Sequence, residues 1–114
     1  MKRAARRFDR FDTEERHRVR KRLKRLRYFA ELVGPLFEAR TVRRYLARLR
    51  PAQDALGTYI DLIVGIRFAR ERIEAGDERA WFNVGWLCAQ LPRSMRRCRE
   101  ALADAASARP FWRR

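Results

Sequence analysis

The sequence predicts an all-α protein, an antiparallel four-helix bundle, and three observations carry that prediction. Apolar residues recur at spacings of three and four along most of the chain; no segment alternates apolar and polar with period two over a useful length; and glycine or proline punctuates the pattern at helix-length intervals. With 114 residues, of which 46% are apolar, the chain holds one modest core and no second domain.

The elements follow in order. Residues 1–12 read as a basic lead-in that docks through Phe8 and Phe11. Asp12 and Glu15 have the D-x-x-E spacing of a capping box, so a first helix starts near Thr13. Gly34-Pro35 ends it, because glycine accepts a left-handed cap and proline cannot continue the ladder. Val19, Leu23, Leu26, Ala30 and Val33 form its core stripe. A second helix from about Glu38 carries Val42, Tyr45, Leu49, Ala52, Leu56, Tyr59, Ile60 and Ile63 on one face, with a kink expected at Pro51, and stops at Ala75-Gly76-Asp77. A third helix, about 78–90, is expected to bury Trp81, Val84, Leu87, Cys88 and Leu91. Pro92 then opens a fourth helix, about 92–108, with Met95, Cys98, Leu102 and Ala105 turned inward. The bundle spans 13–114, its tail folding back so that Phe111 and Trp112 are not left in water.

The net charge of +15 points to a polyanionic partner: nucleic acid, an anionic membrane surface or a phosphate polymer. It is concentrated at one end, since thirteen basic residues face four acidic ones between Met1 and Tyr28. A lone histidine, no C-x-x-C pair, no glycine-rich phosphate loop and no nucleophile beside a base argue against an enzyme and against any metal or cofactor. Two cysteines, Cys88 and Cys98, read as small core residues, with a bridge between the third and fourth helices as the lesser alternative, and without a signal peptide or a long apolar run the expected setting is cytoplasmic and off the membrane.

The first helix holds the densest charge, with seven Lys or Arg and one histidine between His17 and Tyr28. At about 100° per residue, His17, Arg20, Lys24, Arg27 and Tyr28 gather opposite the core stripe, with Lys21 at the flank. Like charges three and four positions apart destabilise the bare helix by a few tenths of a kcal/mol per pair, roughly, which a bound polyanion offsets. Arginine offers phosphate a planar fork and lysine a mobile point charge, a mixture suited to a chain of phosphates without fixed register. Arg18, Arg22 and Arg25 point elsewhere and serve general electrostatics or carboxylate pairs. His17 is either a ligand contact, taking up a proton as a polyanion binds, or a structural group; a general base is the weakest reading, since no nucleophile stands beside it. Tyr28 is either a phenolic donor beside the row or a ring at the core edge. Arg43, Arg44 and Arg48 either widen the basic surface or pair with acids such as Asp54 and Asp61, for which a helix-pairing role is favoured, with Arg20 or Arg27 as partners.

The run H-x-x-R-K-x-x-K-R-L-R-Y, here His17, Arg20, Lys21, Lys24, Arg25, Leu26, Arg27 and Tyr28, resembles the signature of the CHAD family, the conserved histidine α-helical domain. Gln53-Asp54-Ala55-Leu56-Gly57 followed by Asp61 resembles that family's Q-D-x-L-G-x-x-x-D segment, although Tyr59 and Ile60 stand where Leu-Asn is common. Arg109-Pro110-Phe111-Trp112 is similar to the way many members end.

The resemblance implies half of a pseudo-twofold helical domain, the C-terminal one, whose missing partner is an N-terminal half-domain or, in a homodimer, a second copy. It also implies binding of inorganic polyphosphate, often at polyphosphate granules, with a CYTH-type triphosphatase as a catalytic partner in some members. The residues expected to bind are His17, Arg20, Lys21, Lys24, Arg27, Tyr28 and Arg44. Non-specific binding of DNA or RNA is the alternative. Single-strand binders interleave exposed aromatics for stacking and duplex readers place Asn, Gln or Arg at base edges, whereas this strip offers one tyrosine and neither amide. A membrane-surface role for the first helix fits its two-faced character less well, because its apolar face has partners in the other helices.

Overall fold

The computed structural model describes residues 1–113; Arg114, the last residue of the expected tail and bundle, lies outside them. Four α-helices make up the chain: α1 (Lys2–Arg7), α2 (Thr13–Val33), α3 (Ala39–Glu74) and α4 (Ala80–Ser107), with single 3-10 turns at Phe8–Arg10 and Gly34–Leu36. The all-α bundle expected from the periodicity is what the chain forms, but its four helices are divided differently. The basic lead-in supplies the first, and the expected third and fourth are one.

That fusion corrects the expectation for Pro92, which sits inside α4 instead of opening a helix. Its ring removes one ladder hydrogen bond and crowds the preceding turn, a cost of about 3 kcal/mol in an isolated helix. The helix survives because both flanks carry the same stripe, from Ala80 through Val84, Leu87 and Leu91 to Cys98, Leu102 and Ala105, and that stripe packs along α3. Pro51 is likewise accommodated within α3, on the exposed side. One consequence concerns the cysteines. Ten positions apart on one helix, Cys88 and Cys98 are separated by about 15 Å, far beyond disulfide reach, and both are free thiols.

The ends of α2 obey local chemistry. Asp12 accepts from the Glu15 amide at 2.7 Å and Glu15 accepts from the Asp12 amide at 3.3 Å, a complete capping box. At the other end Gly34 keeps a right-handed conformation, φ −48°, contrary to the expected left-handed cap. Its lack of a side chain serves packing instead, since a Cβ there would lie 3.1 Å from Val42 Cγ1. The left-handed glycine is Gly76, φ +95°, where the amides of Gly76 and Asp77 return to Ile73 and Arg72 and close α3.

α3 is the central helix: α2 lies along it on one side and α4 along most of its length, while α1 packs on α4. Phe8, Leu23, Leu49, Leu56, Tyr59, Cys98 and Leu102 are the largest fully enclosed side chains. The tail folds back over the closed end, as its two rings require. Phe111 meets Phe37 and Tyr45, and Trp112 meets Phe29 and Tyr45, each edge to face at 5.1–5.6 Å. At 57 × 25 × 19 Å the molecule is elongated, and the far end of the α3–α4 hairpin projects beyond the other helices. Trp81 stands there in solvent, not in the core. Ala80, one residue earlier, takes the inward position and no third helix covers the next one.

Candidate functional site

The exposed face of α2 is built by subtraction: Val19, Leu23 and Ala30 turn into the core, which leaves Arg20, Lys21, Lys24 and Tyr28 outward. Among the described residues, Arg20, Lys21 and Lys24 form no ion pair. Of the acids on and next to α2, Asp12 and Glu15 accept from each other's amides and Glu31 pairs with Arg27. Three unneutralised cations within about 6 Å of helix rise therefore face water. Tyr28 lies over the end of the row with the Lys24 ammonium 5.8 Å from its ring centroid, a cation–π contact, and is an exposed ring, not a core-edge one. His17, at the start of the row, is partly buried and makes no side-chain hydrogen bond among the described residues.

Arg27 leaves that row for a second feature. Its Nε donates to Glu31 at 2.9 Å and its Nη1 to Gln53 Oε1 of α3 at 3.3 Å, which bends the guanidinium across the α2–α3 junction. There it meets Arg43, Arg50 and Asp54 around an open groove of about 660 Å³ floored by Leu46, Ala47 and Pro51. Three guanidiniums against two carboxylates keep the groove cationic. It also joins the two sequence motifs, since Arg27 belongs to the first and Gln53 and Asp54 to the second. Arg44, one position and about 100° on from Arg43, is exposed and does not line it.

Several expected pairings are replaced by others. Neither Asp54 nor Asp61 forms an ion pair among the described residues. Arg48 reaches across to α4, donating to both Asp104 oxygens at 3.1–3.2 Å and to the Ser107 hydroxyl at 2.6 Å. Arg99 binds the Asp9 carboxylate at 2.6 and 2.8 Å and ties α4 to the turn after α1. Arg18 and Arg22, which form no ion pair among the described residues, face a separate cleft of about 260 Å³ with Arg3.

One cation that supports the site escaped the sequence reading. Arg16, 8% exposed, hydrogen bonds the Phe8 carbonyl at 3.0 Å, the Asp9 carbonyl at 3.2 Å and the Tyr59 hydroxyl at 2.7 Å. Its guanidinium also lies 4.9 and 5.2 Å from the ring centroids of Phe8 and Tyr59. The signal was present in the spacing: Arg16, Leu23 and Ala30 are seven apart and share one stripe. By clamping the turn before α2 onto α3, Arg16 fixes the start of the helix that presents the cationic row.

Among the described residues no group of three His, Cys, Asp or Glu could hold a metal, and no helix is long and apolar enough to cross a membrane. Neither curated proteins nor solved structures gave a match. The family comparison did: the CHAD domain profile matches residues 1–70, which takes in α1, all of α2 and α3 as far as Arg70. Both motif segments and the groove between them lie inside that match, which covers more than half of the sequence, and the chain therefore belongs to the CHAD domain family.

Proposed function

We propose that this chain binds inorganic polyphosphate along the outer face of α2 and into the α2–α3 groove, as a binding or targeting module without catalysis of its own. The observation that carries the reading is the row Arg20–Lys21–Lys24, which forms no ion pair among the described residues although the chain has 14 acidic residues. Family membership and the net charge of +15 support it. A linear polyanion would run along the row past Tyr28, whose hydroxyl is available as a donor, towards the guanidiniums of Arg43 and Arg50. His17 extends the row at its start, and Arg44 contributes general attraction from outside the groove.

The family resemblance further supports a cytoplasmic location at polyphosphate granules and a CYTH-type triphosphatase as the catalytic partner. It also supports completion of a two-half domain by an N-terminal half or by a second copy.

The second reading, non-specific nucleic-acid binding, draws on Tyr28, whose ring is 56% exposed beside Lys24, an arrangement on which a base could stack. A single ring on the row supports stacking of one base and no track of them. Competition decides between the two. Labelled long-chain polyphosphate is displaced by unlabelled polyphosphate, DNA or RNA at equal phosphate concentration and about 0.15 M ionic strength, where the Debye length is about 8 Å. Polyphosphate is expected to compete at least about tenfold better, a difference of about 1.4 kcal/mol. Equal competition by all three would replace the reading with general polyanion binding.

A further inference from the structure

The far end of the α3–α4 hairpin carries a surface that phosphate binding leaves unexplained. Val64 and Phe68 on α3 and Phe82 and Trp86 on α4 are 57%, 62%, 75% and 63% exposed. Gly65, Phe68, Asn83, Trp86 and Leu87 line a groove of about 400 Å³ between the two helices. Its floor is open because Gly65 has no side chain; a Cβ there would lie 3.3 Å from Leu87 Cδ1.

Charge separates this region from the rest of the molecule. Between Leu62 and Pro92, Arg67, Arg70, Arg72 and Arg79 are balanced by Glu71, Glu74, Asp77 and Glu78, so the whole surplus of +15 lies elsewhere. From Ala80 to Pro92 thirteen consecutive residues carry no charge, in a sequence of which 38% is charged. On the groove, Arg72 is paired with Asp77 at 3.5 Å. Such a surface has nothing to offer a polyanion or an acidic protein. It is also the stretch over which two copies of a +15 chain can meet without facing like charge.

We infer that the α3–α4 hairpin end is a self-association surface, on which two copies pair about a twofold axis. Phe82, the most exposed ring, is the knob, and the groove between Phe68 and Trp86 is the hole. Each copy supplies both, which satisfies the self-complementarity of a twofold contact. The area is sufficient: three rings of roughly 150–250 Å² each, two-thirds exposed, together with Val64, remove roughly 500 Å² per copy. Two copies reach roughly 1,000 Å², the lower bound for a specific interface, before any polar rim is added. The pairing rests on the second-copy reading proposed above, but it requires no phosphate ligand and stands or falls apart from polyphosphate binding.

Sedimentation equilibrium of the full chain without polyanion, at about 50 µM and about 0.5 M salt to screen the remaining repulsion, tests it. The expected mass is twice 13.7 kDa, with a larger dimer fraction at high salt than at low. Trp86→Glu and, separately, Phe68→Glu are expected to weaken the dimer at least about tenfold. Trp81→Glu, about 140° round α4 from Trp86, is expected to leave it intact. Helicity measured by circular dichroism accompanies each variant, and these exposed sites are not needed for the core. A monomeric wild-type chain at that concentration and salt, or a dimer that persists in folded Trp86→Glu and Phe68→Glu variants, overturns the inference.

Discussion

The guanidinium of Arg16 donates from Nη1 to the Tyr59 hydroxyl at 2.7 Å, a hydrogen bond that spans 43 positions and joins the start of α2 to the middle of α3. Among the described residues no carboxylate pairs with this buried cation; two backbone carbonyls, one hydroxyl and two ring faces surround it. Losing one partner of such a set leaves the others desolvated and unpaired, which is costlier than the net value of any one bond.

Tyr59→Phe, which removes only the hydroxyl, is therefore expected to lower stability by about 1–3 kcal/mol. Arg16→Met, which takes the side-chain donor from the Asp9 carbonyl and leaves the Phe8 carbonyl only the Phe11 amide, is expected to cost at least as much. Urea unfolding followed by circular dichroism checks both. If Tyr59→Phe unfolds at the wild-type midpoint, the clamp contributes nothing to the fold.

The two thiols are expected to differ sharply. Cys98 is fully buried, and burial pushes its thiol up to about 11, opposed in part by Arg16 and Arg97. Its folded value lies above the ordinary 9.0, so the fold favours the protonated form. The associated stability is complete below pH 9 and declines as pH rises towards 11. Iodoacetamide under native conditions at about pH 8 should modify Cys88 first and Cys98 only on unfolding. The melting temperature should fall more steeply over the alkaline window than in Cys98→Ala.

Ser94 is the single buried side-chain polar group without a hydrogen-bond partner among the described residues. It lies on the buried side of α4, two positions after Pro92. Ser94→Ala removes the unpaired oxygen and raises helix propensity, and is expected to stabilise by about 1 kcal/mol. A variant that melts below the wild type would mean that the hydroxyl has a partner in solution.

The residues show why some of this was legible in the sequence and some was not. α2 was readable at both ends because its start is a local device, Asp12 with Glu15, and its end is Gly34-Pro35; neither depends on distant packing. The core stripes of α2 and α3 were readable from periodicity. Pro92 misled because local propensity makes proline a helix opener, whereas the stripe shared across it and packed on α3 overrides that preference. Trp81 misleads because its hydrophobicity predicts burial at a place where no helix comes to cover it. At the site, the wheel placed Arg20, Lys24 and Tyr28 outward, where they are. It could not foresee that Gln53, 26 positions away, would join Glu31 in drawing Arg27 out of the row and into the groove.

The most direct experiment titrates long-chain polyphosphate by calorimetry, at about 0.15 M ionic strength, into the wild type, Arg20→Ala/Lys24→Ala and Arg93→Ala/Arg96→Ala. The two double variants lose equal charge, but Arg93 and Arg96 are exposed on α4, which packs on α3 and α1 and not along α2. If the row is the site, the α2 variant loses about tenfold or more in affinity, as expected when charge-assisted hydrogen bonds worth about 1.5–3 kcal/mol are removed. The α4 variant should then stay within about twofold, a difference of under about 0.5 kcal/mol. Equal losses in the two variants would show that net charge, and not the face built by α2, holds the polymer.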